Sequence, residues 1–163
     1  MGIYKNEELR KKIVNDGGKW VGEQKFWLFG TAKYFNGTMI SREEAERDAS
    51  RFFNKLDRAL IKREEYREEI KLERLVFIET GKTRTNTHIH FYIKGNDYVG
   101  YKQLEEMCQI IWVEDIVKGY EMDIRDNIYA GNRRNEYCYK EMRNLNEDVL
   151  HVACSHINIT SRV

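Results

Sequence analysis

The sequence predicts an α+β fold: an antiparallel sheet of about five strands with helices packed on it, in one domain over residues 1–163. Three observations carry this. Residues 87–94, THIHFYIK, alternate polar and apolar side chains, the period of a strand with two unlike faces. Residues 42–65 instead repeat apolar side chains at three- and four-residue spacing, the period of an amphipathic helix. From residue 26 the two kinds of segment interleave as β-α-β-β-α-β. That is the split βαβ, ferredoxin-like order, with two helices on one face of an antiparallel sheet.

The elements follow in order. Residues 5–15 read as a short helix with Leu9 and Ile13 on one side, broken by Gly17-Gly18. Residues 26–35, FWLFGTAKYF, make the first strand, with Gly30 as a bulge or a point of close approach, and Asn36-Gly37 turns the chain. Ser41, followed by Glu43 and Glu44, starts the long helix with carboxylates in its first turn, where the helix dipole favours them. Ala45, Ala49, Phe52, Phe53, Leu56 and Leu60 form its apolar stripe. Residues 74–80, RLVFIET, and 87–94 are the second and third strands. Tyr101, Leu104, Met107, Cys108, Ile111 and Trp112 mark another amphipathic helix, and residues 119–125, GYEMDIR, a fourth strand. Residues 133–145, RRNEYCYKEMRNL, read as a helix with Cys138, Met142 and Leu145 on its buried side. Residues 149–159, VLHVACSHINI, alternate again and suit a closing strand.

With 41% apolar and 12% aromatic residues, the chain can build a core, which excludes wholesale disorder. The absence of proline excludes collagen and proline-rich modules. No apolar run approaches the ~18 residues of a membrane helix, and MGIYKNEELRKK lacks the apolar region of a secretory signal, so no membrane partner is expected. Cys108, Cys138 and Cys154 are odd in number and unclustered, as reduced thiols of an intracellular protein are. The balance of 28 basic and 27 acidic residues gives no global footprint for nucleic acid, so any such contact must be local. Between Ser41 and Arg74, 10 basic residues meet 10 acidic ones, the mark of a solvated, ion-paired helix face.

Two constellations carry chemistry. On the third strand His88, His90 and Tyr92 share one face, while Ile89, Phe91 and Ile93 share the other and face the core. Glu79 ends the neighbouring strand, a short loop away from His88. Two imidazoles and a carboxylate suit Mn²⁺ or Zn²⁺, tolerate Mg²⁺, and leave positions open for polarising a phosphoryl oxygen. The plainer reading is two half-exposed histidines on a sheet. With only four histidines in the chain and this pair on the polar side of an alternating strand, the metal reading is the better one. The second constellation is Tyr137-Cys138-Tyr139-Lys140. In a helix Tyr137 and Lys140 are neighbours on one face, and an ammonium there both lowers a phenol's pKa and holds a phosphate oxygen. Tyr139 lies about 200° around the helix from Tyr137, and its own neighbour three residues on is the uncharged Met142.

The two constellations together resemble the HUH endonucleases, and more narrowly the rolling-circle replication initiators (Rep proteins). His88-Ile89-His90 matches the His-hydrophobic-His motif. Asn135-Glu136-Tyr137-Cys138-Tyr139-Lys140-Glu141 is similar to the nucleophile motif of the Reps of circular single-stranded DNA viruses. Phe26-Trp27-Leu28-Phe29-Gly30-Thr31 stands in the place of the first motif, and Glu79 where many Reps supply a third metal ligand. The resemblance covers about residues 25–145 and implies the HUH version of the split βαβ fold. It implies that Glu79, His88 and His90 bind Mn²⁺ or Mg²⁺, and that Tyr137 attacks a phosphate of single-stranded DNA to leave a 5′-phosphotyrosine and a 3′-OH. Lys140 would neutralise the phosphate. The partner implied is single-stranded DNA or an origin stem-loop, in the host cytoplasm for a prokaryotic virus or plasmid and the host nucleus for a eukaryotic virus.

Around the expected nucleophile the charge is locally basic. Arg125, Arg133, Arg134, Lys140 and Arg143 stand against Asp126, Glu136 and Glu141, and Tyr92 offers a ring for stacking on bases. No Gly-x-x-x-x-Gly-Lys-Ser/Thr segment is present in these residues, as in a compact initiator that borrows a host helicase or in one domain of a longer protein. A single-tyrosine transposase would share these motifs. A non-catalytic RNA-binding module would need the aromatic RNP pattern, which the chain lacks. His151, Cys154 and His156 do not make a second metal site, because only Cys154 and His156 would share a strand face.

Overall fold

The expected alternation is realised, among the described residues, as a four-stranded antiparallel sheet. The computed structural model describes residues 2–62, 64, 70–80, 86–95, 99–116, 119–127, 135, 138, 150–151 and 153–157. The chain runs α1 (Gly2–Glu23), β1 (Leu28–Tyr34), α2 (Arg42–Leu60), β2 (Arg74–Thr80), β3 (Thr87–Ile93), α3 (Tyr101–Ile110) and β4 (Gly119–Asp126). The strands lie in the order β2-β3-β1-β4, each antiparallel to its neighbours. This is the split βαβ order expected from the sequence: β2 and β3 pair as a hairpin, while the helical crossovers place β1 inside the sheet and β4 at its edge.

One face of the sheet is packed by α2 and α3. Leu28, Ala32, Val76, Ile78, Ile89, Phe91 and Ile93 meet Phe52, Phe53, Leu56 and Leu104 there, all buried. Gly30 belongs to this layer because a Cβ on it would overlap the Phe91 ring. Here the glycine marks a close approach, one of the two readings its sequence position allows. Beyond α3 the chain forms a π-helical turn, Ile111–Asp115, which seats fully buried Trp112 with its indole N–H donating to the Lys33 carbonyl at 3.0 Å.

Helix α2 starts as its sequence predicts. Ser41 Oγ accepts from the Glu44 N–H at 3.1 Å, and the Glu44 carboxylate accepts from the Ser41 N–H at 3.0 Å. Such a capping box is worth about 1 kcal/mol. The helix stops at Leu60, short of the 42–65 span, because Ile61 already has extended backbone with ψ 140°. One polar residue sits in its buried stripe. Asp57 Oδ1 accepts from Arg74 Nη1 at 2.7 Å and from the Leu72 N–H at 3.1 Å. Arg74 Nε donates to the Cys154 carbonyl at 2.8 Å, so one buried ion pair ties α2, β2 and the C-terminal segment together.

Two expectations are corrected. The first helix does not break at Gly17-Gly18; α1 runs 22 residues through both. A glycine inside a helix costs about 1 kcal/mol, and the buried Gly18 and Val21, one turn apart, anchor this half of the helix. Leu9, expected on an apolar side, is 48% exposed. The closing strand over 149–159 is, among the described residues, two isolated antiparallel bridges to β2, Phe77↔Leu150 and Arg74↔His156. A turn at residues 153–154 interrupts them. There Ser155 Oγ stands in for a backbone carbonyl, accepting from the Val76 N–H at 3.0 Å while donating to the His151 carbonyl at 2.9 Å.

Candidate active site

The opposite face of the sheet carries the site, and strand register lays it out in three rows. Leu75, Tyr92, Phe29 and Arg125 form the first; Phe77, His90, Thr31 and Asp123 the second; Glu79, His88, Lys33 and Glu121 the third. The apolar end is covered. Leu75, Phe77, Tyr92 and Phe29 pack with Val21, Phe26 and Cys138 into a second buried cluster. The far end is polar, and there the expected metal ligands meet.

Glu79 and His88 are register partners across the β2–β3 ladder. The His88 and His90 rings stack with centroids 5.8 Å apart and planes 22° from parallel. His90 Nε2 lies 3.2 Å from Glu79 Oε2, with the ring N–H donating to the carboxylate. Its other nitrogen, Nδ1, lies 3.0 Å from Thr31 Oγ1. His88 Nδ1 donates to the Asn86 carbonyl at 2.6 Å. That carbonyl can only accept, so a neutral His88 keeps its lone pair on Nε2, the tautomer a metal ligand needs. All three sequence-predicted ligands are therefore brought together, two imidazoles and a carboxylate, a donor set that fits a divalent ion. Among the described residues no three such side chains converge closely enough to hold an ion as they stand.

Of the segment expected to carry the nucleophile, Cys138 is among the described residues and meets the same face. Cys138, helical and 4% exposed, donates its S–H to Tyr92 Oη at 3.6 Å. Burial pushes the Cys138 thiol up to about 12, against the opposing effect of that hydrogen bond, and the Glu79 charge adds to the rise. Such a thiol is no nucleophile at neutral pH. The Glu79 contribution also places Cys138 within electrostatic reach of the candidate ligands. Tyr137, Lys140, Arg133 and Arg134 lie outside the described residues.

Tyr92 requires a correction. It shares the histidines' face, as expected, but is 0% exposed beneath Phe26, Phe29, Phe77 and Cys138. It is a core residue under the site and offers no stacking surface for a base. Arg125 is exposed on the site's face, at the corner farthest from Glu79, where two hydrogen bonds of 2.7 and 3.0 Å tie it to Asp123. Sequence reasoning missed the roles of Thr31 and Asn86: the first depends on β1 pairing with β3, and the second is a backbone carbonyl beside His88 that no side-chain pattern marks.

No helix among the described residues is long and apolar enough to cross a membrane. Comparisons with protein-family models, with curated proteins and with solved structures each return no match.

Proposed function

We propose that this chain is an HUH-type endonuclease that nicks and rejoins single-stranded DNA, acting at an origin stem-loop to start rolling-circle replication. The observation that carries the reading is the meeting of Glu79, His88 and His90 at the polar end of one sheet face, on which the residue after Tyr137 is buried. Four strands in the split βαβ order agree with the HUH fold.

In this reading Glu79, His88 and His90 hold Mn²⁺ or Mg²⁺. When bound there, such an ion supplies Lewis-acid polarisation of the scissile phosphate. The Tyr137 oxygen attacks phosphorus, the bond from phosphorus to the 3′ oxygen breaks, and the phenolic proton ends on that oxygen. The products are a 5′-phosphotyrosine and a free 3′-OH, and attack by a 3′-OH reverses the step and joins the strand. Lys140 neutralises charge on the phosphate, and Arg133 and Arg134 bind flanking phosphates. The RNA-binding alternative needs an open aromatic sheet face, whereas Phe29, Phe77 and Tyr92 are all buried.

The test is a pool of labelled single-stranded stem-loops incubated with the protein and Mn²⁺. We expect labelled protein that survives denaturation and is lost when a chelator is present from the start. Binding without any covalent product would overturn the reading.

A further inference from the structure

We infer that Thr31 is a positioning residue for the metal site, a hydroxyl that pairs with Nδ1 of His90 in either tautomer and so lets the ring change from one to the other; this rests on the metal reading above. Thr31 Oγ1 lies 3.0 Å from His90 Nδ1, and the two residues are 9% and 5% exposed. Water therefore has little access to replace the contact.

A neutral imidazole carries one N–H. Opposite the Glu79 carboxylate, 3.2 Å away, that proton sits on Nε2 of His90, because an ionised carboxylate only accepts. Nδ1 then presents a lone pair, and the Thr31 hydroxyl donates to it. Ligation through Nε2 needs the reverse, with the proton on Nδ1 and the hydroxyl accepting. A hydroxyl serves both states by rotating about its C–O bond. A backbone N–H in its place would hold the ring in the first state, and a carbonyl in the second. The second case exists next door: the Asn86 carbonyl, 2.6 Å from His88 Nδ1, fixes the metal-ready tautomer of His88. The site thus pairs a preset ligand, His88, with a switchable one, His90. Glu79 holds His90 in the ion-free tautomer, and Thr31 lets it change without leaving a buried nitrogen unpaired.

The test measures Mn²⁺ affinity by calorimetry for wild type, Thr31→Val and Thr31→Ser, alongside far-UV circular dichroism. It also measures ¹⁵N imidazole shifts of His90 with and without Zn²⁺. Valine keeps the shape and removes the hydroxyl; the ion-bound ring, whose Nδ1–H the ion makes a stronger donor, loses more by this than the ion-free ring, so affinity should fall about 10- to 100-fold, while serine should stay within about threefold of wild type. In wild type, Zn²⁺ should move the His90 Nδ1 signal from the unprotonated to the protonated range. Wild-type affinity in Thr31→Val, or Nδ1 already protonated without the ion, overturns the inference while leaving the proposed function standing. Wild-type protein that binds no Mn²⁺ overturns the metal reading and the inference together.

Discussion

The Glu79 carboxylate reaches to 3.2 Å from Nε2 of His90, although Glu79 is the register partner of His88. The contact is diagonal across the ladder, a reach of roughly 7–8 Å between backbones that a long side chain spans. It brings a carboxylate from β2 and imidazoles from two positions of β3 to one spot.

From this follows the first prediction. His88→Ala should abolish Mn²⁺ binding in calorimetry with little loss of stability, because His88 is only half-buried. Glu79→Gln should weaken binding and keep the fold. Undiminished binding in His88→Ala would contradict the assignment.

The second concerns the Asp57–Arg74 pair, whose side chains are 1% and 3% exposed. Removing one partner strands a buried charge, which costs about 3–5 kcal/mol. Asp57→Ala should therefore lower the urea midpoint steeply and loosen the C-terminal segment that Arg74 holds through the Cys154 carbonyl. A change in stability near zero would mean that the guanidinium finds another partner or water.

The third is a pH dependence. Burial raises the Cys138 thiol from 9.0 to about 12. At pH 8 the folded protein should thus hold about one thiolate in ten thousand at this residue, and iodoacetamide should label it slowly. Because the value is raised in the folded state, the thiol's contribution to stability is full below about pH 9 and is lost as the pH climbs toward 12. Peptide mapping after alkylation reads this out, and fast labelling of Cys138 at pH 8 would contradict its burial.

The strands were legible because short apolar or alternating runs are local signals, and β2, β3 and β4 begin where those runs were read to begin, at Arg74, Thr87 and Gly119. That His88 and His90 share a face was legible in the same way, since a spacing of two puts both side chains on one side of a strand. Tyr92 was misread because alternation tells which face a residue takes, and not whether another part of the chain covers that face. Here Phe26 and Cys138 cover it. Gly17-Gly18 misled in the opposite direction: a breaker signal is a local cost of about 1 kcal/mol per glycine, and burial of Val21 can exceed it. Thr31 was invisible because its partner, His90, is 59 residues away.

The covalent adduct tests the central proposal most directly. Protein incubated with Mn²⁺ and a single-stranded stem-loop is digested, and mass spectrometry locates the residue that carries the 5′-phosphate. We expect the adduct on Tyr137, its complete loss in Tyr137→Phe with Mn²⁺ binding unchanged, and its survival in Tyr139→Phe. An adduct on Tyr139 would contradict the choice of nucleophile, and an adduct that persists undiminished in both Tyr137→Phe and Tyr139→Phe would contradict the HUH reading as a whole.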